Sequence, residues 1–107
     1  MITPAEDNIN PLIHPWYPET ETNRVRALGK ALEELGELVS ATARCLIQGI
    51  DEREPVTGKP NRQWLEQEVA DVRTQCAILV ETFDLDTQAI ATRTRKKYDQ
   101  MQEWRSM

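Results

Sequence analysis

Acidic side chains recur one helical turn apart in two separate stretches of this sequence. The first stretch contains Glu34 and Glu37, within the run Leu-Glu-Glu-Leu-Gly-Glu-Leu, and the second contains Glu68 and Asp71, within the run Glu-Val-Ala-Asp. Both stretches have helical character, and residues three apart on a helix are neighbours, with Cβ atoms about 5–6 Å apart. The spacing therefore predicts two pairs of carboxylates, and we expect the two pairs to face each other.

Four carboxylates brought together repel one another unless something balances their charge. At a separation of about 6 Å and an effective dielectric constant of about 20, each pair repels by about 3 kcal/mol. Protons, basic side chains or a cation could provide the balance. Mg²⁺ is well suited, because it prefers oxygen ligands and keeps waters that phosphate oxygens can replace. We therefore predict that the four acids hold Mg²⁺ against the phosphates of a nucleotide; ordinary surface acids remain the alternative.

Other carboxylate-based metal centres fit this sequence less well. Di-iron and di-manganese bundles also use facing carboxylates, but they need a Glu-x-x-His motif on each of two helices. His14 is the only histidine, and it stands in a segment with four prolines. A di-iron or di-manganese centre is therefore excluded.

Three long helices are predicted from apolar residues that recur at steps of three and four. They cover roughly 21–48, 62–83 and 87–105, with N-caps expected at Thr20 or Thr22, at Asn61 and at Asp86. Two prolines and two glycines in 49–62 are typical of a loop. We predict an all-α fold in which a helical domain over 20–107 follows a Pro-rich aromatic N-terminal arm over 1–19.

The predicted first helix is apolar on two sides. A stripe of mostly large residues comprises Val25, Leu28, Leu32, Leu35, Val39, Thr42 and Leu46. A seam of mostly small residues comprises Ala27, Ala31, Glu34, Leu38 and Ala41. A helix of this kind is clasped between two partners, which fits a homo-oligomer, either a dimer or a tetramer. Gly36, beside the acids, could allow close approach by a neighbouring helix or by a ligand.

The second predicted helix places an acid close to its apolar stripe. That stripe comprises Leu65, Val69, Val72, Cys76, Leu79 and Phe83. At roughly 100° per residue, Glu68 falls about 60° from the centre of the stripe. An unpaired charge there would cost several kcal/mol, so Glu68 needs a basic partner or a cation.

Composition limits the classes of partner and compartment. The net charge of −5 and the pI of about 4.9 argue against nucleic acid, which is bound through clustered Lys and Arg. No signal peptide or membrane span is recognisable, so we expect a cytoplasmic protein that does not bind a membrane. Cys45 and Cys76 lack CxxC spacing and are predicted to be reduced, buried core thiols.

Further candidates for contacts with a nucleotide lie outside the acidic runs. In the arm, His14 and Trp16 could stack on a base, or the arm could pack on the bundle or on a neighbouring subunit instead. Lys59 and Arg62 could reach a phosphate, or remain solvated loop charges. A basic cluster in the third helix could balance phosphate charge, or form a solvated face; it comprises Arg93, Arg95, Lys96 and Lys97. Trp64 is a second candidate surface for the base.

The two acidic runs resemble the signature EExxE followed by ExxD of the MazG-like, all-α nucleoside triphosphate pyrophosphohydrolases, which are related to the dimeric dUTPases and dCTP pyrophosphatases. The matching residues are Glu33-Glu34-Leu35-Gly36-Glu37 and Glu68-Val69-Ala70-Asp71, within a resemblance from about Asn23 to Tyr98. It implies a four-helix-bundle-like architecture completed by oligomerisation and the reaction NTP + H₂O → NMP + PPi. It also implies two or more Mg²⁺ ions, replaceable by Mn²⁺, on Glu34, Glu37, Glu68 and Asp71.

The resemblance also suggests roles around the metal ligands. A late lysine that contacts phosphates in the family corresponds to Lys97. Independently of the resemblance, Glu33 lies one turn from Glu37 and could orient the attacking water. We therefore assign catalytic roles to Glu33, Glu37 and Lys97, with a surface role for Glu33 as the alternative. Trp64 stands where family members often carry a lysine, which puts the phosphate contacts outside the metals in doubt.

The short single domain is similar to the phage or bacterial branch of the family. Some members of that branch act on purine deoxynucleotides such as dGTP and dATP, and a phage-encoded protein would work in the host cytoplasm. The competing interpretation is a non-catalytic helical module that dimerises through its apolar stripes.

Overall fold

The computed structural model describes residues 16–107 and contains three helices. They are α1 (Thr22–Gln48), α2 (Asn61–Phe83) and α3 (Thr87–Arg105). No strand occurs among the described residues, where the only β-type pairing is an isolated bridge between Arg53 and Pro60. The predicted all-α class is confirmed, while the four-helix-bundle arrangement stays a prediction. Most of the proposed arm lies outside the described residues.

Helix α1 is capped by Glu21 at its start and by Gly49 at its end. The carboxylate of Glu21 accepts a hydrogen bond from the backbone N–H of Arg24 at 2.8 Å, so the prediction of Thr20 or Thr22 as the cap was wrong. The helix ends at Gly49, whose φ of 102° is a conformation that glycine adopts at little cost. At α3 the predicted cap is confirmed, since Asp86 accepts from the N–H of Ala89 at 3.0 Å.

Asn61 is a buried residue that joins the end of α1 to the start of α2, and the prediction that it is an N-cap was wrong. It is the first residue of α2, is fully buried, and donates through Nδ2 to the carbonyl of Gly49 at 2.9 Å. Its own backbone N–H donates to the carbonyl of Glu52 at 3.0 Å. Carbonyls at the end of a helix lack partners within the helix. Asn61 supplies one for the end of α1 and so ties the two helices together.

The seam of small residues is the face of α1 that packs on α2. Ala27, Ala31 and Ala41 are buried, and Glu34 is buried among them. Small side chains let two helices approach closely, which explains why this face, and not the leucine stripe, meets α2. The large residues of the stripe are left uncovered; Leu32 is 71% exposed and Leu46 is 86% exposed.

The third helix makes little contact with the other two. α1 and α2 pack along each other, whereas α3 has no buried residue. Ile90, Tyr98 and Trp104 are all exposed on it. Cys76 is also exposed, so the prediction of two buried thiols was wrong for this residue, while Cys45 is half-buried. Within residues 16–107, no helix is long and apolar enough to span a membrane.

Candidate metal centre

The packing of α1 on α2 brings the two acidic pairs together. Glu34 and Glu37 come from α1, and Glu68 and Asp71 come from α2. One carboxylate oxygen from each of the four residues can be chosen so that all lie within 4.8 Å of one another. The convergence predicted from the spacing is therefore present, and metal binding by it stays a prediction.

Two of the four acids are buried and incompletely bonded. Glu34 is 8% exposed and Glu68 is 9% exposed, whereas Glu37 and Asp71 are exposed. The Oε2 atoms of Glu34 and Glu68 are both buried without a hydrogen-bond partner. Leaving a carboxylate oxygen buried and unbonded is costly, because the group has lost its water and gained nothing in return. The arrangement therefore calls for a proton or a cation between the helices.

A single lysine balances part of this charge. The ammonium of Lys30 lies 3.3 Å from Oε1 of Glu34 and 3.3 Å from Oε2 of Glu33. The hydrogen bond to Glu33, and to a smaller extent the hydrogen bond to Glu34, raises the pKa of Lys30, so this side chain stays charged. One ammonium does not neutralise four clustered carboxylates, and it leaves the inner oxygens of Glu34 and Glu68 without a partner.

The neighbouring acids of the cluster raise the pKa of Glu37. A hydrogen bond with Glu34 raises the pKa of Glu37 above its ordinary value of 4.5, and repulsion by Glu34 adds to the effect. Loss of some hydration and the charges of Glu68 and Glu33 act in the same direction. In the absence of a cation, a proton on Glu37 relieves part of the repulsion. A divalent cation would take the place of that proton.

A pocket of about 390 Å³ opens beside the acids, between α1 and α2. It is lined by Glu33, Gly36, Glu37, Ser40, Ala41, Arg44, Trp64 and Glu68. A Cβ placed on Gly36 would meet no atom within 4 Å, so close approach by α2 is not the reason for this glycine. The alternative, room for a ligand, stays open, because Gly36 lines the pocket wall next to Glu37.

Two basic side chains, Arg44 and Lys59, lie over the ring of Trp64 on the side of the pocket away from the buried acids. The guanidinium carbon of Arg44 lies 5.6 Å from the centroid of the Trp64 ring, and Nζ of Lys59 lies 3.8 Å from it. Lys59 also donates a hydrogen bond to Gln67. Sequence reasoning missed Arg44, although a signal was present: it stands three residues after Ala41 and so continues the seam that packs on α2.

The remaining predicted contacts do not gather at this pocket in the single chain. Arg62 is paired with Asp51 at 2.6 Å and does not line the pocket. Trp16 is 92% exposed, and Arg93 and Lys97 are exposed on α3. His14 lies outside the described residues. Of the residues predicted outside the four acids, the pocket is lined by Glu33 and Trp64, and Lys59 sits on the Trp64 ring.

Comparison with known proteins gives no match. No protein-family model, no curated protein and no solved structure is significantly similar to this chain. The assignment of a function therefore depends on the geometry of the acids and of the pocket beside them.

Proposed function

We propose that this chain is a Mg²⁺-dependent nucleoside triphosphate pyrophosphohydrolase that converts a (d)NTP to (d)NMP and pyrophosphate. One observation carries the proposal: four carboxylates from two helices converge, and two of them are buried with an unbonded oxygen. The cost of that arrangement is removed by a divalent cation, and a divalent cation in an open pocket is the usual means of binding nucleotide phosphates.

The donor set suits the proposed cofactor. All four side chains offer oxygen, which Mg²⁺ prefers, and Mn²⁺ accepts the same ligands. Glu34, Glu37, Glu68 and Asp71 would hold two or more ions. When bound, Mg²⁺ supplies charge neutralisation for the phosphates and polarises a water molecule. The protein's part is to hold the four carboxylates in place against their repulsion, through the packing of α1 on α2.

The reaction adds one water across the bridge between the α- and β-phosphates. The oxygen of the water bonds to one of the two phosphorus atoms, the bridging P–O bond to that atom breaks, and pyrophosphate and the nucleoside monophosphate separate. Glu33 lines the pocket one turn from Glu37 and is the candidate to orient the water and accept its proton. Its contact with Lys30 at 3.3 Å holds its carboxylate at the pocket wall.

A second copy of the chain is part of the proposal. The leucine stripe of α1 is uncovered, and α3 has no buried residue, so both surfaces need a cover. The charges are complementary, because α3 carries the basic cluster of Arg93, Arg95, Lys96 and Lys97, while the α1–α2 pair carries the clustered acids. A homo-oligomer, either a dimer or a tetramer, would bring Lys97 of one copy towards the pocket of another.

A non-catalytic dimerisation module is the second candidate, and the uncovered leucine stripe favours it equally. The two candidates differ in their response to ligands. A binding module without a nucleotide site predicts no change in melting temperature on addition of Mg²⁺ and a non-hydrolysable dNTP analogue, or on addition of EDTA. The enzyme predicts a rise in the first case and a fall in the second.

The decisive experiment is a screen of the dNTPs, with dGTP and dATP included, in the presence of Mg²⁺. Products are separated by chromatography, and the Glu68→Gln variant is assayed beside the wild type. We expect monophosphate and pyrophosphate from the wild type and at least a hundredfold lower rate from the variant. Release of orthophosphate, or an unchanged rate in the variant, would overturn the proposal.

A further inference from the structure

Arg44 shares one pocket with Glu37 and Glu68, two of the four clustered acids, but lies in a different part of it. Along α1 the pocket lining recurs at Glu33, Glu37, Ala41 and Arg44, so it follows one face of the helix for three turns. At 1.5 Å per residue, the backbone of Arg44 stands about 10 Å along the helix axis from that of Glu37. The pocket therefore has an acidic end, where the carboxylates converge, and a basic end formed with α2.

The charge of Arg44 is held at the pocket and forms no direct ion pair, although it acts on the carboxylate of Glu54 from a greater distance. Its guanidinium lies over the ring of Trp64, at 5.6 Å from the centroid, and a cation over an indole face is attracted to it. Among residues 16–107, no carboxylate lies within 4.0 Å of Arg44. Lys59 approaches the same ring at 3.8 Å and adds a second positive charge.

These contacts favour an anion over a nucleobase as the occupant of the basic end. The indole ring of Trp64 is already approached by two cations, so a base could stack on it only by displacing them. A guanidinium presents several N–H groups in one plane and can bind two oxygens of a phosphate together. A polyphosphate bound through a cation at the acidic end would still have oxygens that need a donor, and Arg44 would offer one.

We infer that Arg44 binds the phosphate groups that leave as pyrophosphate, and that Trp64 is a positioning residue that holds the Arg44 guanidinium at the pocket. This inference rests on the proposed function, and it assigns the phosphate contact to α1 and α2 of the same chain. It differs from the role predicted for Trp64, which becomes a support for a cation in place of a surface for the base.

The test measures binding of inorganic pyrophosphate in the presence of Mg²⁺ by isothermal titration calorimetry. Wild type is compared with Arg44→Ala, Arg44→Lys, Trp64→Phe and Arg105→Ala. Arg105 lies in the last turn of α3, away from the pocket lining, and provides the matched loss of an arginine. Circular dichroism establishes that each variant is folded, and Mn²⁺ binding is followed by loss of the free-ion electron paramagnetic resonance signal.

We expect Arg44→Ala to weaken pyrophosphate binding at least tenfold, since a hydrogen-bonded charge contact is lost. Arg44→Lys should recover part of the affinity, because it restores the charge without the planar donor pair. Trp64→Phe should give an intermediate loss, and Arg105→Ala none. Binding of Mn²⁺ should stay within twofold of wild type in all four variants, because the acids are unchanged.

The outcomes separate this inference from the proposed function. If Arg44→Ala binds pyrophosphate as tightly as wild type, or if wild type does not bind it, the inference is wrong. If wild type binds pyrophosphate through Arg44 but hydrolyses no nucleoside triphosphate, the proposed function fails and the anion site stands. In an active enzyme, Arg44→Ala should raise KM for the nucleotide by a larger factor than it lowers kcat.

Discussion

The side-chain amide of Asn61 donates a hydrogen bond to the carbonyl oxygen of Gly49 at 2.9 Å, and so joins the end of α1 to the start of α2. Asn61 is fully buried, and Cys45 donates through Sγ to its backbone carbonyl at 3.7 Å. This junction fixes how α2 is placed along α1. The placement decides which turns of the two helices face each other, and therefore whether Glu34 and Glu68 meet.

Asn61→Ala is expected to destabilise the protein. The change leaves the Gly49 carbonyl without its partner in a buried position, at a cost of about 1–3 kcal/mol. For a domain of this size, that corresponds to a fall in melting temperature of roughly 4 °C or more. The measurement is differential scanning calorimetry, with Asn23→Ala on the exposed first turn of α1 as control. A fall of equal size in both variants would show that the hydrogen bond from Asn61 to Gly49 does not stabilise the protein.

Glu68→Gln is expected to reverse the effect of Mg²⁺ on stability. Without divalent cations, the variant should melt at a higher temperature than wild type, because one buried charge of the repelling cluster has been removed. With Mg²⁺, wild type should gain stability and the variant should gain much less. Glu66→Gln, at an exposed position two residues earlier and on the opposite side of α2, is the matched control and should behave like wild type. An equal gain for Glu68→Gln and wild type would count against a cation at this cluster.

The pKa values of Glu37 and Glu54 should be shifted in opposite directions from the ordinary value. Without divalent cations, the midpoint of Glu37 should lie above 4.5, because its hydrogen bond with Glu34 and the nearby acids raise its pKa. The midpoint of Glu54 should lie below 4.5, because hydrogen bonds from the side chain and backbone of Thr57 and from Val56 lower its pKa. Carboxyl carbon shifts in NMR spectra recorded against pH measure both values.

These directions have opposite consequences for stability. Folded chains hold a proton on Glu37 that unfolded chains release, so this contribution falls as the pH rises from 4.5 through the raised pKa. The contribution of Glu54 is complete above pH 4.5 and is lost as the pH falls through the lowered pKa. Mg²⁺ should lower the midpoint of Glu37 and leave that of Glu54 unchanged. Coincident midpoints without Mg²⁺ would contradict the clustered geometry.

Gly36→Ala should separate folding from ligand binding. Alanine in a helix interior is more favourable than glycine by about 1 kcal/mol, and a Cβ at Gly36 would meet no atom within 4 Å. The variant should therefore be more stable than wild type, yet bind Mg²⁺-pyrophosphate more weakly, because the added methyl group stands in the pocket wall. Gly29→Ala, also in α1 with open space around its Cβ, should give the stability without the loss of binding. Equal binding by the two variants would show that no ligand approaches Gly36.

Leu32→Lys should disrupt self-association. Leu32 belongs to the leucine stripe and is 71% exposed in the single chain, so a charge there would be buried against the partner copy. Analytical ultracentrifugation should find the wild type as a dimer or tetramer and the variant as a monomer with reduced activity. Val56→Lys, at a loop position that is 89% exposed, should leave the assembly intact. A monomeric wild type would remove the second copy from the proposal.

The elements that sequence could predict are those fixed by local interactions. Helix positions follow from apolar periodicity, and the cap at Asp86 follows from a side chain that bonds its own first turn. The convergence of Glu34 with Glu68 was also accessible, because both acids interrupt apolar faces. A charge on such a face needs a partner from elsewhere in the chain.

The elements that sequence could not predict depend on which surfaces meet. Both faces of α1 read as apolar, and only the packing shows that α2 takes the small-residue seam and leaves Leu32 uncovered. Asn61 has the residue type of a cap, and its use as a buried link between α1 and α2 depends on where Gly49 ends α1. The position of Arg44 over the ring of Trp64 likewise depends on how α2 packs on α1.

The exposed state of α3 has a consequence for how long a solitary chain survives. Helices without buried contacts open often, and proteases cut chains while they are open. At low concentration the junction formed by Asp84, Leu85 and Asp86 should be cleaved early, releasing a basic C-terminal peptide. At high concentration, association with a second copy should cover α3 and slow that cleavage. The lifetime of each molecule would therefore depend on the protein concentration.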